Sequence, residues 1–521
     1  MKYFLGLDAS TQSISGTIID VDTGAIVAED SVSYDSVPGY DCPNGVLPNS
    51  DPLVKHSDPL LWLDGLDLLL QRFMDAGVDL GLVKAISGSG QQHGTVYLNK
   101  KFLDADAWPM KADSLAAAVK PMLSRQTAPI WMDSSTSAEC REISAAAGGV
   151  EEVQKRSGSP AIERFSGPQI RKFFKDCPAE YEDTAVIHLV SSFHASVLTG
   201  ENAVIDAGDG AGMNLMNLES QSWDPVLLEA TAPELVERLP EVAPSNTVVG
   251  TVSQYFVDKY GFSPEAQVVA WSGDNPNSLI GVGGYAPGTA VISLGTSYTY
   301  FAAMDKPRVD PDGYGHVFGN PAGGFMSLIC FKNGALAQDE IRRKFGLSWK
   351  EFTNIFDETT AGNNGNMMLP YFVPEITPLV LDAGVVKQGS EEFVKGDDRA
   401  AEVRAVVEAQ ALRLRLHSQW IGETTDKIRL TGGASKSREN CQTLADVFNA
   451  RIELLETENA PGLGAALRAA EAAGAGDWAA LTAQFCAPAA GKLYTPVPEN
   501  VKTYRQMLAD YAAFAEEYPR S

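Results

Sequence analysis

Tyr3-Phe4-Leu5-Gly6-Leu7-Asp8-Ala9-Ser10-Thr11-Gln12 opens the chain as an apolar run that stops on an acid and two hydroxyls. An apolar run broken by small polar residues reads as a strand entering a tight turn. Residues 15–20 return as a second strand, Asp22-Thr23-Gly24 turns again, and 25–29 form a third. The opening is therefore a β-meander whose first turn carries Asp8, Ser10 and Thr11. The pattern comes back near the middle of the chain. Residues 290–294 form a strand that breaks at Gly295-Thr296-Ser297, and 298–302 return. Pairing Leu5-Gly6-Leu7-Asp8 with Leu294-Gly295-Thr296-Ser297 suggests two related halves, each begun by strand, polar turn and strand.

Outward from these hairpins, strands and helices alternate, which predicts an α/β fold. A helix is expected over 60–76, then a strand over 83–87 ending in Gly88-Ser89-Gly90-Gln91-Gln92-His93-Gly94. Helical stretches near 137–147 and 169–175 follow. A strand over 268–271 ends in Ser272-Gly273-Asp274-Asn275-Pro276. Later, a helix over 401–423 precedes a strand over 427–431 that enters Gly432-Gly433-Ala434-Ser435, and Gly462-Leu463-Gly464 opens an Ala-rich helix. The domain junction is expected in 252–266, which divides the chain into 1–262 and 263–521.

A chain of 521 residues is long enough for two or three domains. With 41 basic and 67 acidic side chains its net charge is −26. That charge repels nucleic acid and anionic membranes, and no basic stripe offsets it. An anionic substrate must then be met locally, by backbone N–H groups, a metal ion and a few cations. The six cysteines are scattered without CxxC or His-rich spacing. They read as thiols in a reducing compartment, and the absence of a long apolar run points to a cytoplasmic chain.

Four strand-to-turn sites stand out, at Asp8–Thr11, Asp274–Asn275, Gly295–Ser297 and Gly432–Ala434. Open α/β sheets place ligands at such strand ends. Small residues and hydroxyls there let backbone N–H groups approach phosphate oxygens. No Walker loop is present. Asp8 suits a water-mediated Mg²⁺ ligand, the alternative being a turn aspartate bonded to its own backbone. Asp274 fits a base for a phosphoryl acceptor hydroxyl, or equally a helix N-cap before Pro276. The amide and imidazole of Gln92-His93 can read sugar hydroxyls. Asp133 is a rim acid or an N-cap, and Arg164 a ligand contact or a surface ion pair.

These residues together resemble the FGGY carbohydrate kinases of the actin-like superfamily, in motif order over nearly the whole chain. Ser87 to Gly94, Trp131-Met132-Asp133-Ser134-Ser135, Glu163-Arg164-Phe165-Ser166-Gly167, Gly273-Asp274-Asn275-Pro276 and Cys330-Phe331-Lys332-Asn333-Gly334 are most similar to the xylulose kinases of the eukaryotic type. The resemblance implies two ribonuclease H-like α/β domains around a cleft, the first binding sugar and the second nucleotide. It implies ATP and Mg²⁺ as cofactors and a ketopentose, D-xylulose, as substrate. Asp274 would be the catalytic base, with His93, Arg164 and Asn275 on the ketose. Asp8 would serve Mg²⁺, Ser10 and Thr11 the phosphates, and Thr296 and Ser297 the same phosphates from the second hairpin. Gly433 and Ala434 would line the adenosine pocket, with Trp349 nearby. Ser437 stands where related enzymes carry Asn.

Overall fold

The computed structural model describes residues 2–104, 114–455, 459–489 and 492–518. Its contacts divide the chain into two compact units. One comprises Met1–Tyr285, Val317–Met326 and Glu458–Cys486, and the other Ala286–His316, Ser327–Thr457 and Ala487–Ser521. The units are drawn differently from a single cut at 262/263, because segments late in the sequence pack with the first unit.

The meander forms as its alternation dictates. Tyr3–Ala9 pairs antiparallel with Ser13–Asp20, which pairs antiparallel with Ala25–Ser33. On its other side Tyr3–Ala9 runs parallel to Val83–Gly90, so Asp8 lies opposite Ser89. Val83–Gly90 continues parallel to Gln267–Val269 and then to Ser272–Gly273. The strand expected over 268–271 is thus split in two, and Trp271 turns inward over Gly88, where a Cβ would come within 2.0 Å of its ring. Helix Pro59–Asp75, capped by Asp58 accepting the Leu60 N–H, lays Leu61, Leu66, Leu69, Leu70 and Phe73 on one face of this sheet. Full burial of each such side chain contributes about 1.5–3 kcal/mol.

The other face is covered by helix Ala460–Ala472, the Ala-rich segment, which belongs to the first unit. It can sit there only because glycines allow backbone contact. A Cβ at Gly6 would lie 1.9 Å from the Gly462 carbonyl, and one at Gly464 would lie 2.0 Å from the Asn277 carbonyl. From this helix the buried Arg468 reaches the carbonyls of Ser245 and Ala270, both at 2.7 Å, and so ties down the strand ends below Asp274.

The second unit repeats the opening arrangement. Thr289–Leu294 pairs antiparallel with Tyr298–Met304 and parallel with Lys427–Thr431, which runs parallel to Arg451–Leu454. Each unit therefore has a hairpin whose first strand lies beside a parallel third strand. Helix Arg399–His417, capped by Asp398, is buried along most of its length in this unit. Among the described residues no helix is long and apolar enough to cross a membrane.

Candidate active site

At the ends of the first unit's parallel strands, acids and amides converge. Asp8 is only 7 % exposed, and its Oδ1 has no hydrogen-bond partner. Burial pushes its carboxyl up to about 7, and the negative charge of Asp274 adds to the rise. Burial likewise pushes Asp274 up to about 6, although the N–H groups of Asn275 and Gln92 stabilise its carboxylate. Two acids that each disfavour the other's charge create a demand for a cation.

Asp274 is the first residue of helix Asp274–Gly281, and the N-cap position belongs to Gly273. Its Oδ1 accepts the Asn275 N–H at 2.8 Å and Asn275 Nδ2 at 3.0 Å. Neither is the bond a capping side chain makes to the second or third helical N–H, so Asp274 is not the cap. The same Asn275 amide donates to Gln92 Oε1 at 2.7 Å. Gln92 therefore touches both Asp274 and Asn275, and it is the residue before His93.

His93 has φ +71° and buries its ring between Phe165 and Phe318, with centroids 4.3 and 6.4 Å away. Burial, and next the positive charge of Arg164, push its pKa down to about 3, so the ring is neutral. Nδ1 lies 2.7 Å from the Gly212 carbonyl and must donate to it, which leaves Nε2 as the acceptor. Arg164 stands over Phe165 at 5.4 Å and faces His93 electrostatically. Glu163 accepts the Ser137 hydroxyl at 2.9 Å.

Asp133 is neither a rim acid nor a cap. It is buried, and its oxygens accept the N–H groups of Lys55 and Ser135, both at 2.9 Å, the Ser135 hydroxyl at 2.7 Å and Gln169 Nε2 at 2.7 Å. Thr136 holds the N-cap position of the following helix, Ser137–Ala146. Asp133 thus knots together the base of the loop carrying Trp131, whose indole N–H donates to the Thr11 hydroxyl at 2.8 Å. Thr11 in turn donates to Gln91 Oε1 at 3.2 Å, and the Ser10 hydroxyl donates to the Ser13 carbonyl at 2.8 Å.

Six buried polar atoms near these strand ends close no hydrogen bond: Asp8 Oδ1, Ser89 Oγ, Gln91 Nε2, Gln92 Nε2, Asp209 Oδ1 and Ser272 Oγ. Interiors pair nearly all such groups, so their concentration sets these strand ends apart from the rest of the unit. Among the described residues no group of three or more His, Cys, Asp or Glu side chains could hold a metal ion. A single unsatisfied carboxylate oxygen beside a second acid instead fits Mg²⁺, which keeps most of its waters and takes one or two carboxylates.

The second unit holds a cavity of about 800 Å³. Thr296, Trp349, Gly433, Ala434 and Ser437 line it together, while Ser297 lies outside the lining, at the exposed hairpin tip. Trp349 is half exposed and is not a buried helix anchor. Ser348 and Glu351 form a capping box that starts its helix, and the Arg342 guanidinium stacks on its ring at 5.2 Å. A flat, braced indole on a cavity wall is a platform for another flat ring. Ser437 lines the cavity but spends its hydroxyl as a helix cap, accepting the Asn440 N–H at 3.2 Å and donating to Glu439 at 3.0 Å.

Local reading of the sequence missed Asp209, Gln338 and Asn440. Gln338 donates to Gln410 at 2.7 Å and to Asn440 Oδ1 at 3.0 Å, and Asn440 Nδ2 holds the Ala434 carbonyl at 3.0 Å. Gln338 and Asn440 sit within helices with no neighbouring glycine to flag them. Only the 338-to-440 contact gives them a role.

The family model for the N-terminal domain of the FGGY carbohydrate kinases matches residues 122–281, and that for the C-terminal domain matches 290–473. The chain is 38% identical to a xylulose kinase of Rattus norvegicus over 526 residues, covering 98% of this chain and 95% of the relative. It is 40% identical to xylulose kinase 2 of Arabidopsis thaliana over 485 residues, covering 90% and 86%. Among solved structures, a xyloylose kinase from Brucella ovis superimposes with a TM-score of 0.80 at 22% identity, over 98% of each chain. Matched family domains across most of its length and extended identity to curated relatives place this chain in the FGGY family of carbohydrate kinases.

Proposed function

We propose that the chain transfers the γ-phosphoryl group of ATP to D-xylulose, giving D-xylulose 5-phosphate, with Asp274 as the base. The observation that carries this reading is the Asp274 carboxylate, fixed by Gln92 and Asn275 beside an Asp8 oxygen that has no partner. The choice of sugar rests on the names of relatives at 38 and 40% identity. The cysteines, all free thiols, accord with a reducing cytoplasm.

The ketose hydroxyl approaches Asp274, which orients it for in-line attack and takes its proton late in the transfer. A carboxyl near 6 is mostly ionised at neutral pH, yet basic enough to accept that proton. Asn275, Arg164 and His93 Nε2 bind the remaining hydroxyls, the neutral imidazole acting as an acceptor. Asp8 would hold Mg²⁺ through its water shell, and when bound the ion would supply positive charge against the transferring phosphates. Ser10 and Thr11 present the turn's backbone to the phosphates. In the second unit Trp349 stacks on the adenine, while Gly433 and Ala434 line its pocket and Thr296 its mouth.

ADP release measured over a panel of sugars tests the reading. D-xylulose should be the fastest acceptor. Faster turnover of ribulose, gluconate or glycerol would overturn the substrate and leave the family standing. ATP binding without turnover of any sugar would favour a sugar sensor.

A further inference from the structure

Trp131 leaves 45% of its surface exposed, much for a large aromatic ring, yet its polar edge is engaged. The indole N–H donates to the Thr11 hydroxyl at 2.8 Å, and that hydroxyl donates to Gln91 Oε1 at 3.2 Å. The other end of the Gln91 amide, Nε2, is buried and closes no hydrogen bond.

The loop that carries Trp131 is braced to keep the indole in place. Asp133, two residues on, accepts bonds from the Lys55 and Ser135 N–H groups, the Ser135 hydroxyl and Gln169 Nε2. Gln169 Nε2 also reaches the Glu163 carbonyl at 3.0 Å, to which the Thr136 hydroxyl donates at 2.6 Å. The loop is thus tied to the segment that carries Arg164. Water readily replaces an exposed hydrogen bond, but here the donor's frame is fixed before the bond forms.

An indole N–H can only donate, whereas a hydroxyl has one proton and two acceptor lone pairs. With Trp131 on one lone pair, Thr11 must give its proton to another group. Within the chain that group is Gln91 Oε1, at a distance longer than a usual O–H···O bond. A phosphoryl oxygen carries charge and is the better acceptor. Once the proton turns to it, the Gln91 amide can turn over and offer its unpaired Nε2 to the second lone pair. Two donors then saturate the Thr11 oxygen, and its proton is committed to the phosphate. We propose that Trp131 is a positioning residue for phosphoryl transfer, its indole N–H holding the Thr11 hydroxyl as a donor toward the phosphates. This rests on the reading of the Asp8–Thr11 turn as the phosphate end of the reaction.

The test is a double-mutant cycle on the full chain, read as kcat/KM for ATP with the sugar that the wild type turns over. Thr11→Val removes the hydroxyl at nearly constant shape and should lower kcat/KM for ATP about tenfold or more. Trp131→Phe keeps a ring and loses the N–H. It should lower the same quantity about three- to tenfold and leave the ketose KM within about twofold. In the Thr11→Val background Trp131→Phe should cost less than about twofold, because the hydroxyl it orients is gone. In the Thr11→Ser background, which keeps a hydroxyl, it should again cost about three- to tenfold. A wild type that turns over no sugar would overturn the proposed function and this inference together. Thr11→Val without effect would overturn the phosphate reading of the turn. With Thr11→Val impaired, an unchanged kcat/KM in Trp131→Phe, or the same loss in both the Thr11→Val and wild-type backgrounds, would overturn this inference alone.

Discussion

The two hairpins share a frame and differ in chemistry. Tyr3–Ala9 and Thr289–Leu294 each pair antiparallel with the next strand and parallel with a third. At the first turn sits Asp8, buried and short of a partner, near Asp274 and a set of unpaired polar atoms. At the second sit exposed hydroxyls, beside a cavity whose lining amides Gln338 and Asn440 bond to each other, with Gln410 accepting from Gln338 behind them. Unpaired buried groups destabilise the fold and are kept where a ligand completes them. Saturated groups hold a shape. On the proposed reading one region reacts and the other holds, on the same local topology.

Asp274→Asn should have the largest effect and is the sharpest way to break this contrast. Asparagine keeps the bonds to Asn275 but cannot take the hydroxyl proton, so kcat should fall by about 10²–10⁴. In the wild type, kcat/KM for the sugar should drop as pH falls through about 6, since only the ionised carboxylate accepts a proton. Turnover within a few-fold of wild type, measured by coupled ADP release, would end the base assignment.

Asp8→Asn should come next, lowering turnover by about 10²–10³. It should also stabilise the unliganded protein. Folding raises this carboxyl from 3.8 to about 7, so across that window the folded state binds more protons than the unfolded one, and stability falls as pH rises. Removing the charge should therefore raise Tm at pH 8 by about 1–3 °C, raise it less at pH 5, and leave it unchanged below the unfolded carboxyl's 3.8. A lower Tm at pH 8, seen by differential scanning fluorimetry, would show Asp8 to be a structural turn residue.

His93→Ala and Arg164→Ala should each raise the ketose KM about tenfold with smaller changes in kcat, as expected for contacts made in both ground and transition states. Loss of ATP binding with intact sugar binding would put them in the wrong region. Trp349→Ala should be mildest, raising the ATP KM by about two- to tenfold through lost stacking and leaving the ketose KM unchanged. A change in the ketose KM instead would blur the division between a reacting and a holding region.

Much of this is legible in the linear chain. The strand over 427–431 and the helix beginning near Gly462 follow directly from apolar periodicity and small-residue turns. Asp8, Asp274, His93 and Arg164 stand out because each follows a strand or sits in a motif, and local pattern carries that signal. Asp133 and Ser437 are readable as polar residues near turns, but not as a saturated knot and a helix cap. The Asp133 knot depends on Lys55 and Gln169, brought in from elsewhere, while the Ser437 cap is a local contact with the N–H of Asn440.

The sequence by itself determined the element types, the repeated hairpin and the family, because these depend on periodicity and on motifs whose residues are neighbours. Only the tertiary structure decided that Ala460–Ala472 backs the first sheet, since that needs Gly6 and Gly464 to clear room for backbone contacts between distant segments. It also decided which acids stay unpaired. Whether a carboxylate is satisfied depends on groups far away in sequence, as with Ser191 at Asp209, and on burial, which raises the electrostatic stakes of every missing partner.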